Sequence, residues 1–168
     1  MRPQRRPDGF SLIEVLTSIV IAGILLATVS MSFARYLRST QQSNTATEIR
    51  AELRNAAERS LSEGRTYCVY FNTAARTYAT YRSDCTVSAN RVTLARPGST
   101  LVTVSAVNFT PPSPAVPNQA SSCPTLNACA YFYPRGNGVP GSVTITRSGS
   151  SKIYTVSVEG LTSRVSIA

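Results

Sequence analysis

The stretch from Gly9 to Ala34, G-F-S-L-I-E-V-L-T-S-I-V-I-A-G-I-L-L-A-T-V-S-M-S-F-A, limits what the rest of the chain can be. No residue between Val15 and Ala34 is charged. At ~1.5 Å rise per residue a helix of that length matches the ~30 Å hydrocarbon core of a bilayer. A single acid, Glu14, interrupts the apolar run. A carboxylate at that depth is costly in lipid unless it meets a partner, so Glu14 marks a functional position.

An ordinary secretory signal has a shorter apolar core, with its small-residue cleavage site after that core. Here the break, Gly9, comes first. A simple signal anchor would explain the topology, because Arg2, Arg5 and Arg6 hold the leading end in the cytoplasm. It leaves Glu14 without a purpose. The run Arg5-Arg-Pro-Asp-Gly9 followed by Phe10-Ser-Leu-Ile-Glu14 resembles the type IV prepilin signature. The resemblance implies that a prepilin peptidase cuts after Gly9, that the new first residue, Phe10, is N-methylated, and that Glu14 is used in assembly. Residues 1–9 are then a leader, 10–35 a transmembrane and assembly helix, and 36–168 an extracytoplasmic head that includes the second half of the helix.

Physical chemistry supplies a mechanism for that reading. A freed α-amino group on Phe10 has a pKa near ~8 and is largely cationic at neutral pH. An ammonium and a carboxylate desolvated together attract far more strongly than in water, whereas either alone in lipid is penalised. Glu14 of an incoming subunit is therefore expected to pair with the Phe10 amine of a neighbour, with Leu16, Ile19, Val20 and Leu26 packed around the pair. Met31 stands where major pilins commonly carry a proline, so no kink is expected there.

The chain has 168 residues, room for one anchor helix and one modest globular domain. Its 17 basic and 8 acidic residues give a net charge of +9. Four cysteines, Cys68, Cys85, Cys123 and Cys129, all follow the apolar segment and fall on the side where disulfides persist. Four cysteines allow three pairings. Cys68 with Cys85 and Cys123 with Cys129 are favoured because each pair is local and closes one loop. Zinc is the alternative, weakened by the lack of any CxxC pair and of histidine.

Neither proline nor glycine occurs between Ile24 and Glu63. Past Arg35, Ile49, Leu53, Ala56, Ala57, Ser60 and Leu61 recur at three- and four-residue spacing, with charged residues on other faces. One helix from about Phe10 to Ser62 is predicted, stopped by Gly64, its outer apolar stripe forming the spine of the head. Strands are predicted at 66–71 and 77–81 around a 72–76 hairpin loop, at 91–94, and at 101–109, where a bulge or double burial is expected. Five prolines within 110–125 make that stretch an extended loop.

Toward the C terminus, Tyr131-Phe-Tyr-Pro-Arg-Gly136, the Gly138-Val-Pro-Gly141 turn, strands at 143–146 and 152–158, and Glu159-Gly160 before Arg164-Val-Ser-Ile167 resemble the head of the GspH/FimT-type minor pilins and pseudopilins. The fold class implied is α+β, the pilin fold: a long N-terminal helix, transmembrane in its first half, packed on an antiparallel β-sheet head. The resemblance implies a structural subunit of a type IV pilus or type II secretion system. Its partners would be other pilins or pseudopilins, the prepilin peptidase, an inner-membrane assembly platform and, before assembly, membrane lipid.

Enzymatic chemistry is not expected. Without histidine the usual base for a serine or cysteine nucleophile is missing, and the only acids outside the helix are Asp84 and Glu159, apart from Asp8 in the leader. No phosphate-cradling glycine loop and no cofactor motif occurs. The alternative function is DNA binding during natural transformation, with Arg135, Arg147, Lys152 and Arg164 tracking phosphates and neighbouring tyrosines stacking bases. In the family that contact is associated with a Gly-Arg-x-Arg tail, and Gly160-Leu-Thr-Ser-Arg164 supplies one arginine only. A surface-adhesion subunit is the remaining alternative.

Overall fold

In the computed structural model the described residues are 11–97, 100–110, 123–125 and 127–168. Helix α1 runs Leu12–Glu63 as one element. Two compact units divide the chain, Met1–Ser39 and Thr40–Ala168. Gly64 ends the helix in the left-handed region at φ +61°, and Arg65 N donates to Ser60 O at 3.2 Å. This is the Schellman arrangement, which favours glycine because a Cβ at positive φ is strained. Among the described residues no helix is long and apolar enough to cross a membrane.

In the second unit α1 buries Gln42, Ala46, Ile49, Leu53, Ala56, Ala57 and Ser60. The three- and four-residue spacing puts them on one stripe. Leu61, expected on that stripe, is instead 54% exposed, although Ser60 beside it is buried. The strands are β1 (Tyr67–Asn72), β2 (Thr77–Arg82), β3 (Arg91–Ala95), β4 (Val102–Phe109), β5 (Cys129–Phe132), β6 (Gly141–Arg147), β7 (Tyr154–Val158) and β8 (Val165–Ile167).

They form two antiparallel four-stranded sheets, ordered β3-β2-β1-β5 and β4-β6-β7-β8, rather than one. The division follows from β4, which makes no hairpin with its sequence neighbours β3 and β5. It pairs with β6 instead. The register slips between Val104 and Ala106, which leaves Ser105 out of phase. That bulge lets Val102 and Val104 before it and Phe109 after it all reach the core. The proline-rich loop expected over 110–125 lies mostly outside the described residues.

One apolar cluster joins the helix to both sheets: it holds Ile49 and Leu53 of α1, Tyr67, Phe71 and Phe132 of the first sheet, and Val102, Val143, Ile145 and Val156 of the second. Polar ties do the same. Gln42 Nε2, almost fully buried, donates to Ile145 O at 3.2 Å and Lys152 O at 2.8 Å. Glu52 Oε1 accepts from Thr80 and Thr93, each at 2.5 Å. Arg76, in the β1–β2 hairpin, donates to the carbonyls of Thr100 and Val102 and so clamps one sheet to the start of β4. Gly141 permits a close crossing: a Cβ there would overlap Asn108 O and Phe109.

Both favoured cysteine pairs are formed, Cys68–Cys85 and Cys123–Cys129. The sulfurs of Cys68, Cys85 and Cys129 lie within 4.8 Å of one another, and as disulfide sulfurs they hold no thiolate to offer zinc.

Two buried tyrosines make the head alkali-sensitive. Burial pushes the Tyr78 phenol up to about 12, with the carboxylates of Glu48 and Glu52 adding to the effect. Burial likewise pushes Tyr131 up to about 12, with Asp84 adding to it. The folded state thus holds each proton more tightly than the unfolded chain, whose phenols titrate near ~10. Stability is expected to be level below pH ~10 and to fall above it by roughly 1.4 kcal/mol per pH unit for each tyrosine. Urea unfolding at pH ~9 and pH ~11.5 measures the fall, and Tyr78→Phe should make it shallower.

Candidate assembly segment and head surface

Glu14 sits in the first turn of α1. A carboxylate there opposes the positive end of the helix dipole and is stabilised by it. Glu14 N and Val15 N both donate to Ser11 O, at 3.0 and 3.2 Å. The hydroxyls of Thr17 and Ser18 donate back to Glu14 O, at 3.0 and 2.7 Å, so the polar side chains of this segment are spent on its own backbone. Around them Leu12, Ile13, Leu16, Ile19, Val20, Ile24 and Leu26 are all more than half exposed. A helix that is apolar around its circumference needs a cover of lipid or protein. Gly9 and Phe10, the expected cleavage and methylation positions, lie outside the described residues.

The four cations raised as a DNA-binding set fall into two groups. Arg147 ends β6 and pairs in register with Val102, and Lys152 precedes β7 at the same end of that sheet. Lys152 Nζ stands 4.7 Å over the Tyr154 ring. Arg164 precedes Val165, which pairs with Val158, itself opposite Gly141 at the other end of β6. Arg135 lies in the turn after β5, and Gly136 O in that turn accepts from Ser163 Oγ at 3.1 Å, which puts Arg135 and Arg164 at the same end. From Gly141 to Arg147 a strand spans ~20 Å, so the two pairs are separated by about that distance.

Other cations are committed to the head itself. Arg82 pairs with Glu63 at 2.9 Å. Tyr67 and Arg82 together hold the Glu63 carboxyl below its ordinary value. Sequence reasoning missed the company that Arg164 keeps. A groove of about 370 Å³ is lined by Arg50 and Arg54 of α1 and by Thr162, Ser163 and Arg164 of the β7–β8 loop. The i, i+4 spacing of Arg50 and Arg54 was visible in the chain, but their meeting with a loop more than a hundred residues away was not.

Comparison with known proteins supports both ends of the chain. The prokaryotic N-terminal methylation motif matches residues 4–30. No curated protein matches the sequence. Among solved structures the fold is similar to the minor pseudopilin EpsH from the type 2 secretion system of Vibrio cholerae, with 10% identity, a TM-score of 0.53, and coverage of 76% of this chain and 96% of that one. It is also similar to the type IV minor pilin FimU of Pseudomonas aeruginosa, with 11% identity, a TM-score of 0.57, and coverage of 79% and 92%. A second EpsH structure gives a TM-score of 0.54 at 10% identity, covering 78% of this chain and 94% of that one. The chain thus carries a type IV pilin-like N terminus. Its α+β architecture is the fold of minor pilins and pseudopilins.

Proposed function

We propose that this chain is a minor pilin or pseudopilin, a structural subunit of a type IV pilus or a type II secretion pseudopilus. The observation that carries the reading is the methylation motif at 4–30 heading a helix whose aliphatic side chains from Leu12 to Leu26 are exposed all round. In this account residues 1–9 are a leader removed by a prepilin peptidase between Gly9 and Phe10, and Phe10 is then N-methylated. Segment 10–35 spans the inner membrane once, with the basic leader in the cytoplasm and the head outside it. Two disulfides in the head suit that compartment. On extraction by the assembly platform the same segment exchanges lipid for the helices of other pilins or pseudopilins. DNA uptake is not part of the proposal, since Arg135 and Arg164 lie at the opposite end of the second sheet from Arg147 and Lys152.

Gly9→Leu tests this reading. The bulky side chain should block leader removal, leaving the full-length chain in the membrane fraction and lowering its amount in sheared filaments at least about tenfold, as an uncut leader withholds the cation that Glu14 needs. Equal recovery of variant and wild type in the filaments would refute it.

A further inference from the structure

The groove between α1 and the β7–β8 loop has the makings of a binding site. Arg50 and Arg54 line it from successive turns of α1, and Arg164 lines it from the loop. Among the described lining residues Glu58 is the one acid, and its contact with Arg54 is loose, 3.9 Å between two largely exposed side chains. Three arginines against this one acid leave the groove with a net positive charge. Arg50 Nε is buried and meets no acceptor among the described residues. Burial at Nε restricts the Arg50 side chain before any ligand arrives, which lowers the ordering cost of binding. The loop is held too. Ser163, at φ +51°, donates to Gly136 O, and Thr162 Oγ1 donates to Glu159 Oε2 at 3.0 Å.

We propose that this groove recognises an acidic segment of another protein, a carboxylate side chain flanked by an aliphatic one. Guanidinium groups on two walls can grip a carboxylate through paired N–H donors. Ala57 and Val165 in the lining, with exposed Leu61 beside them, offer an aliphatic contact next to the charge. Nucleic acid fits less well: the lining carries no aromatic ring to stack a base. A second copy of this chain fits less well again, since even without residues 1–9 it keeps 14 basic against 7 acidic residues and repels itself. The site belongs to the head and does not rest on the filament reading.

The test uses the full chain in neutral detergent and a fluorescein-labelled peptide of alternating leucine and glutamate, with its leucine–glutamine counterpart as control for partition into micelles. Fluorescence anisotropy at low salt is expected to show at least about tenfold tighter binding of the glutamate peptide, the value of one charge-assisted contact. Arg50→Gln and Arg164→Gln should each remove most of that difference while the thermal transition stays in place. Arg164 is exposed in a loop, so its variant keeps the test open should the Arg50 variant fold poorly. Equal binding of the two peptides, or a difference that survives both substitutions, would overturn the proposal. So would a short DNA duplex that displaces the glutamate peptide and binds more tightly through the same arginines.

Discussion

Glu14→Leu is expected to yield a chain that is made, cut after Gly9 and retained in the membrane, yet falls at least about a hundredfold in filaments recovered by shearing. The magnitude follows from leaving a buried charge without its mate, which costs about 3–5 kcal/mol. Each 1.4 kcal/mol is a factor of ten in an equilibrium. In lipid the substitution should be tolerated or even favourable, because it removes the one carboxylate from the apolar run. Loss of assembly with gain of membrane affinity is thus the signature that separates a register-setting acid from a merely structural one. Glu14→Asp, one methylene shorter but still charged, should restore part of the signal. Normal incorporation of Glu14→Leu would remove the pairing between Glu14 and the Phe10 amine from the account.

The second large effect concerns the head. Replacing Cys68 and Cys85 together by alanine opens a loop with a sequence separation of 17 and should cost about 3 kcal/mol on the chain-entropy scale. Removing Cys123 and Cys129, separated by 6, should cost less, about 2 kcal/mol. Packing widens the gap between them. Cys68 is wholly buried in β1, the central strand that pairs with both β2 and β5, whereas Cys123 is only half-buried beside the proline-rich segment. Thermal unfolding of the two double variants, followed by circular dichroism, should show the Cys68/Cys85 variant melting roughly 6–12 °C below wild type. A larger drop for the Cys123/Cys129 variant would contradict the assignment of β1 as the centre of the first sheet.

What could be read from the chain was mostly local. The helix announced itself by the absence of breakers and by its changing face, and its end by Gly64, whose positive φ has few other tenants. The β1–β2 hairpin was legible for the same reason, because a short polar loop joins two strands rich in tyrosine and threonine. Both disulfides joined cysteines close in sequence. The partition into two sheets was not legible. It depends on β5 returning to β1 and β4 pairing with β6, contacts whose partners stand tens of residues apart. The strand β5 itself was missed, since its four residues are all buried and carry no alternation, and Tyr131 to Gly136 read as a turn. Leu61 failed for a related reason: periodicity gives the direction of a side chain but not how much of it its neighbours cover. For the head surface, composition counted the arginines, but only the folded chain separates Arg147 and Lys152 from Arg164 and brings Arg50 and Arg54 to it.

The account stands or falls on how the N terminus is finished. Intact-mass and N-terminal peptide analysis of the protein isolated from cells with an active prepilin peptidase should find a chain lacking residues 1–9 and beginning at Phe10 with a single methyl group on its amine. A chain that keeps Met1 to Gly9 under those conditions would contradict it.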